Sequence, residues 1–416
     1  MGCKLLILAD DFTGALDTAA SLARSGIPVL AVTDLFMAPA SVDIPVLVMD
    51  TESRHLEPAE AYNVYEIITR RWSSAAEHIY IKTDSVLRGH LSAYLAGAID
   101  GLKDHPEAYF LPAFPAAGRT TEQGRQLLGG VPIEETSFAA DPLNPVKNSR
   151  IAELLDSDYE IRVKEYAVGA PLTGWESPLG RKAAVFDAKT QEDLAVRGEE
   201  LKEQGLLRLT AGCAGFAGCF PSLLGLQAQA ESLPQAQKLL LLCGSANEIT
   251  FQQLDMAEKK GWKILSPGWE RILTGEVETM AAQCKAALAE QGRALFAVSR
   301  SKADVEAFTA ICREKGLTMQ ETHTVIQNYL RKLSVQFYRY GEVPPDAVAV
   351  FGGDTLSSVL ATLGGSRLTV MGEVEPGVPV SVAELSGHKT LLITKAGDVG
   401  SDELLEKIDA LCGKTE

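Results

Sequence analysis

Two adjacent carboxylates, Asp10 and Asp11, follow the short apolar run Lys4–Ala9 and precede Thr13–Arg24, where apolar residues recur at helical spacing and Gly26 supplies a stop. The run reads as a buried parallel strand. Both carboxylates then sit on a carboxyl-edge turn, the place where open α/β sheets bind ligands. The plainer reading is a helix cap, with Asp11 or Thr13 accepting from free N–H groups. A cap needs one residue and the sequence offers two; alone, the pair divides evenly between cap and site. Four further clusters fall at strand ends: Thr51-Glu52-Ser53-Arg54, Lys82 to Gly89, Pro112 to Thr121, and Asp141-Pro142-Leu143-Asn144-Pro145. Strand-end placement puts Asp10, Asp11, Arg54, Asp84 and Arg88 on one sheet edge. Bidentate arginines there would hold a small polyhydroxylated anion while the carboxylates accept from its hydroxyls. Singly, Arg54 or Arg88 reads as a surface ion pair and Ser85 or Thr120 as a turn residue; the convergence favours a site.

A second set of strand ends carries glycine. Val350-Phe351-Gly352-Gly353-Asp354-Thr355 follows an apolar strand and opens a helix, offering free backbone N–H groups and a positive dipole end to a phosphate. Cys243-Gly244-Ser245 and Lys395-Ala396-Gly397-Asp398-Val399-Gly400 follow two more strands. Three such ends suggest a nucleotide cradle, although a GGDT turn alone is also an ordinary tight connection. Gly413-Lys414-Thr415 is not a Walker A motif, because Ile408 stands where the upstream glycine belongs. The G-x-G-x-x-G fingerprint is missing from the first strand-helix turn, which lowers the case for an NAD enzyme.

The elements that must carry these residues alternate along the chain. Strand-like runs at Lys4–Ala9, Val29–Thr33, Val46–Asp50, His78–Lys82 and Ala108–Leu111 are separated by helical stretches such as Pro58–Trp72 and Leu91–Leu102. Pro112 to Asn148, rich in Pro, Gly and Thr, breaks the rhythm and reads as a long functional loop. Alternation resumes with Glu160–Tyr166, Ala183–Asp187, a helix near Gln191–Gln204 and Leu206–Thr210. After a Gly/Ala/Cys-rich patch at Ala211–Gly225, a second series starts at Lys238–Cys243 and ends in a helix from Asp402 to Leu411. The expectation is α/β architecture in two lobes, 1–235 and 236–416, each with a mostly parallel sheet, and a ligand cleft between them.

Whole-chain properties bound the function. A chain of 416 residues exceeds one typical core, and 46% hydrophobic with 23% charged residues can build two. A formal charge of −16 argues against nucleic acid, and it makes arginines beside the motifs notable if the substrate is an anion. No apolar run reaches the ~18 residues of a membrane span, and Asp-Asp directly after the first strand disfavours a signal peptide, so a cytoplasmic location with no membrane partner is expected. The seven cysteines form no C-x-x-C pair and read as reduced core thiols; the six scattered histidines show no zinc spacing. Oligomeric state is open, a homodimer included.

Ala9 to Ala15, Ser53-Arg54, Asp84-Ser85 through Arg88-Gly89, the Pro112–Thr121 run, Asp141 to Pro145 and Gly352 to Thr355 together resemble the four-carbon acid sugar kinases, in order and spacing over essentially the whole chain. The resemblance implies an N-terminal sugar-acid-binding domain (1–235) and a C-terminal nucleotide-binding domain (236–416). It also implies ATP-dependent phosphorylation of the terminal 4-hydroxyl of threonate, erythronate or 3-oxo-tetronate. ATP contacts are implied at Ser245, Gly352, Gly353, Asp354, Thr355 and Gly397. Relatives more often read Lys-Ser-Gly-Asn-Phe-Gly at 395–400, and Cys and Ser where this chain has Ala246 and Asn247. Those differences touch side-chain contacts and leave the backbone ones.

On this reading Arg54 and Arg88 grip the substrate carboxylate, with Asp10, Asp11 and Asp84 lining the acid. Asp11 is the first choice of catalytic base and Asp84 the second. Mg²⁺ bridges the phosphates mostly through water; Asp354 is one candidate ligand and the metal ligands are otherwise unassigned. Two rivals use the same residues differently: a nucleotide-independent sugar-acid lyase or dehydratase, and a non-catalytic sugar-acid-binding protein.

Overall fold

The computed structural model describes residues 2–140, 145–156, 159–175, 179–228, 236–338 and 343–411. The chain forms two compact units, Met1–Gln229 and Ala230–Glu416. Asp141 to Asn144, Cys412 and the Gly413-Lys414-Thr415 tail lie outside the described residues.

In the first unit the strands are β1 (Cys3–Ala9), β2 (Val29–Val32), β3 (Val46–Asp50), β4 (Ala76–Lys82), β5 (Glu107–Leu111), β6 (Arg119–Glu122), β7 (Arg125–Leu128), β8 (Val131–Pro132), β9 (Arg162–Tyr166), β10 (Lys182–Phe186) and β11 (Leu209–Gly212). Eight of them form a parallel sheet in the order β2-β3-β1-β4-β11-β5-β10-β9. Leu5 to Ala9 and Val46 to Met49 are completely buried, which is why these strands read as unbroken apolar runs rather than alternating ones. The helices Pro58–Trp72 and Leu91–Leu102 have the ends expected from sequence and pack closely on each other. A Cβ on Gly97 would lie 2.3 Å from the Tyr62 carbonyl oxygen, so only glycine permits this approach. Tyr65 and Tyr94 stack beside it, 4.6 Å between ring centres.

The segment read as a long loop is instead built around an antiparallel sheet, β6-β7-β8. Its turns use Gln123 (φ 51°) with Gly124 (φ 70°), and Gly129 with Gly130. The pattern was hidden because polar side chains fill the buried face. Thr121 and Gln126 sit opposite each other, fully buried, with the Thr121 hydroxyl 2.8 Å from Gln126 Oε1.

In the second unit β12 (Leu239–Cys243), β13 (Ile264–Leu265), β14 (Arg293–Ala297), β15 (Ala347–Phe351), β16 (Arg367–Glu373), β17 (Pro379–Leu385) and β18 (His388–Lys395) run in the order β13-β14-β12-β15-β18-β17-β16. The pairs from β13 to β18 are parallel; β18-β17 and β17-β16 are antiparallel. Strand β17 was not expected, and neither was the helix Met319–Tyr338. That helix concentrates its buried apolar residues, Tyr329, Leu330, Leu333, Phe337 and Tyr338, in its second half and is mostly polar before them. The six described cysteines are buried free thiols. No described helix is long and apolar enough to cross a membrane.

Candidate functional site

Strands β1, β3 and β4 run side by side, so the residues that follow them meet at one edge. Two amides tie the turn after β3 to the end of β1: Ser53 N and Arg54 N both donate to the Asp10 carbonyl oxygen, at 3.0 and 3.1 Å. That anchor delivers the Arg54 side chain onto the carboxylates. Its Nε donates to Asp10 Oδ2 at 2.8 Å, its Nη2 to Asp10 Oδ1 at 2.9 Å and its Nη1 to Asp11 Oδ2 at 2.6 Å. Asp84 Oδ1 lies 3.8 Å from Arg54 Nη2 and accepts from Arg88 Nη2 at 2.9 Å, while Asp84 Oδ2 accepts from Arg88 Nε at 3.1 Å. After Arg88 the chain turns at Gly89 (φ 91°). A Cβ there would meet the Tyr94 hydroxyl at 2.6 Å and Asp10 Oδ2 at 3.1 Å.

All five residues expected to bind the acid therefore lie in one cluster, two hydrogen-bonded groups joined by the Arg54–Asp84 ion pair. Neither arginine stands open, however, because each guanidinium forms a bidentate pair with a carboxylate of the same cluster. The two readings of Asp11 also hold together. Its Oδ1 caps the helix Phe12–Ala23 by accepting from Gly14 N at 3.0 Å, and its Oδ2 faces Arg54. Asp11 is the accessible member, with 30% of its side chain exposed; the Asp10 side chain is fully covered.

Burial works against the charge of Arg54, but Asp10, Asp11 and Asp84 outweigh it and fix the guanidinium as a cation. Burial lifts the Asp10 carboxyl above its ordinary value, with Arg54 pulling the other way. For Asp84 the balance is reversed: burial raises it, but the Arg88 hydrogen bonds and the charges of Arg54, Arg88 and Lys82 hold it at about 2. Two members were not named as site residues from the sequence, although Lys82 opens one of the strand-end clusters. Lys82, buried at the end of β4, donates to the Thr83 carbonyl oxygen at 2.9 Å and adds positive charge near Asp10 and Asp84. Asp50, buried at the end of β3, accepts from Glu52 N through Oδ1 at 3.1 Å and leaves Oδ2 without a hydrogen-bond partner among the described residues. Burial, then the neighbouring Glu52 and Asp11, push its carboxyl up to about 9. A charged residue closing an otherwise apolar strand was the available signal for both.

In the second unit the three glycine-bearing turns also converge. Gly244 N and Ser245 N donate to the Phe351 carbonyl oxygen at 3.0 and 3.1 Å, and Gly352 N donates to that of Lys395 at 2.9 Å. Ser245 Oγ lies 3.0 Å from Thr250 Oγ1, which donates to the Gly397 carbonyl oxygen at 3.0 Å. Gly352 (φ 112°) precedes the helix Gly353–Leu363, whose first turn has no side-chain cap, so its amides remain available to an anion. A Cβ on Gly244 would fall 2.1 Å from Thr355 Oγ1. Ser245, Gly352, Gly353, Thr355 and Gly397 thus share one place. Asp354 turns outward, with 78% of its side chain exposed, and meets His323 Nε2 at 3.2 Å. Among the described residues no group of three or more His, Cys, Asp or Glu could hold a metal ion.

Residues 5–220 match the family description "Sugar-binding N-terminal domain", and residues 240–405 match "Nucleotide-binding C-terminal domain". The chain is 30% identical to the D-threonate kinase of Salmonella typhimurium, over 97% of this chain and 96% of that protein. It is 25% identical to the D-erythronate kinase of Heliobacterium modesticaldum, over 99% and 98%. The crystal structure of Haemophilus influenzae protein HI1011 superposes with a TM-score of 0.79 at 20% identity, covering 98% of this chain and all of that one, which establishes the shared fold.

Proposed function

Because the chain belongs to the four-carbon acid sugar kinase family, we propose that it transfers the terminal phosphoryl group of ATP to the 4-hydroxyl of a four-carbon sugar acid: threonate, erythronate or 3-oxo-tetronate. The observation that carries this reading is the gathering of Asp10, Asp11, Arg54, Asp84 and Arg88 into one cluster at a sheet edge. A short polyhydroxylated carboxylate offers donors to those carboxylates and an acceptor to a guanidinium.

Within that cluster the residues divide by exposure and charge. Arg88, whose side chain is 26% exposed against 9% for Arg54, meets the carboxylate of the acid, while Arg54 holds Asp10 and Asp11 in place. Asp11 takes the proton from the attacking hydroxyl. Asp84, held at about 2, is too weak a base for that task and instead accepts hydrogen bonds from substrate hydroxyls. In the second unit the amides around Ser245, Gly352 to Thr355 and Gly397 receive the phosphates. Mg²⁺, when bound, would supply charge neutralisation to the transferring group and would be held mainly by phosphate and water; Asp354, turned outward onto His323, would have to swing inward to join it. A cytoplasmic location accords with the use of ATP.

Incubation with ATP, Mg²⁺ and each of the three acids tests the reading by release of ADP and formation of a 4-phosphorylated acid. Tight binding of an acid without ADP from any of them would identify a sensor instead. Turnover without nucleotide would identify a lyase.

A further inference from the structure

Lys395 ends β18 with its side chain buried, 3% exposed, and with no ion-pair partner among the described residues. Its ammonium donates to Thr250 Oγ1 at 2.9 Å and to the Gly397 carbonyl oxygen at 3.0 Å, with the Phe351 ring centre 5.2 Å away. None of these groups is an anion, and an ammonium has a third N–H to place. A buried charge without a counter-charge is costly, so the arrangement is incomplete as it stands.

The groups around it explain why. Cys243 approaches from β12, and burial pushes its thiol up to about 12, which keeps it neutral. Phe351 comes from β15 and Thr250 from the helix Glu248–Lys259. Asp398 and Glu375 act on Lys395 only through space; Glu375 is committed to Lys407 at 2.6 Å. Meanwhile Lys395 touches every glycine turn of the cradle. Its carbonyl oxygen holds Gly352 N, and its ammonium holds Gly397 directly and Ser245 through the Thr250 hydroxyl.

We infer that Lys395 is the charge that a bound nucleotide completes: phosphates on the Ser245, Gly352 and Gly397 turns supply its missing counter-charge, so that binding takes up a proton at Nζ. The inference rests on the nucleotide reading of this unit. In the free protein burial lowers the Lys395 ammonium to about 8. A nearby polyanion raises it again. Affinity is then at its full value below pH 8 and falls as pH rises from there toward the bound-state value, by up to about tenfold per pH unit.

Calorimetric titration of the full chain with Mg·ADP tests this. At about pH 9 the heat should depend on the ionisation enthalpy of the buffer in the sense of proton uptake, and the Kd should weaken through this range. Lys395→Met should bind about tenfold or more weakly at neutral pH and lose both the buffer dependence and the pH slope. Lys395→Arg, charged at every pH tested, should bind without the slope. Wild-type binding with pH-independent affinity and buffer-independent heats overturns the inference while leaving the nucleotide reading intact, and so does unchanged proton uptake in Lys395→Met. No binding of Mg·ADP by the wild type at any pH overturns both. If Lys395→Met fails to fold, the wild-type slope alone decides.

Discussion

Arg54 holds Asp10 with two nitrogens, at 2.8 and 2.9 Å, and it does so almost wholly out of water. Removing one partner of such a pair strands the other charge. Arg54→Met should therefore lower the stability of the first unit by roughly 3–5 kcal/mol in urea unfolding, and adding Asp10→Asn should recover part of the loss. A double variant no more stable than Arg54→Met would show that the loss does not come from a stranded Asp10 carboxylate.

Asp11 combines a cap and a proposed base, and asparagine separates the two. Asn caps helices about as well as Asp, so Asp11→Asn should change stability by less than about 1 kcal/mol. The same variant should lose about 10²–10⁴-fold in kcat for the preferred acid, with the Kd for nucleotide unchanged. Activity near wild type would move the base elsewhere.

Acid stability follows from Asp84. Its folded-state value of about 2 lies below the ordinary 3.8, so the carboxylate contributes stability that is fully present above pH 4 and is lost as pH falls toward 2. The contribution is on the order of 2 kcal/mol. The gap in unfolding free energy between wild type and Asp84→Asn should shrink across that window; a gap that stays constant from neutral pH down to about pH 2 contradicts the argument.

Asp50 has the opposite sign. Folding favours its protonated form, so the ordinary ionisation costs stability from about pH 4 upward, until the folded-state value of about 9 is passed. Asp50→Asn keeps an acceptor for Glu52 N and carries no charge. It should raise the denaturation midpoint at neutral pH and lose that advantage near pH 4, as thermal scans at the two pH values would show.

Gly244→Ala probes the cradle. With Thr355 Oγ1 2.1 Å from the new Cβ, either the Thr355 side chain or the turns must shift. Nucleotide affinity should fall by at least about tenfold while the Kd for the sugar acid, measured without nucleotide, stays put; retained nucleotide binding would show that this spacing is irrelevant.

Strand ends were legible because each is an abrupt change of chemistry. Val46–Asp50, Ala347–Phe351 and the helix Pro58–Trp72 could be delimited to the residue, since apolar runs stop at charge, glycine or proline. The β6-β7-β8 sheet was not, because hydrogen bonding by Thr121 and Gln126 replaces the apolar alternation that marks a strand. That Asp10, Asp11, Arg54, Asp84 and Arg88 come together was readable from their places beside strands. Their internal pairing was not, because a guanidinium's choice between a neighbouring carboxylate and a ligand is decided by distances that no linear pattern encodes. Lys395 stood in a quoted motif, yet only its burial reveals the unpaired charge.

One amide in the small sheet has a mechanical result. Gln126 Nε2 donates both to the Ser85 carbonyl oxygen at 2.9 Å and to that of Pro112 at 3.1 Å. Ser85 adjoins Asp84 in the turn that leads to Arg88. A displacement of the hairpin would therefore be passed through Gln126 to the peptide beside Asp84.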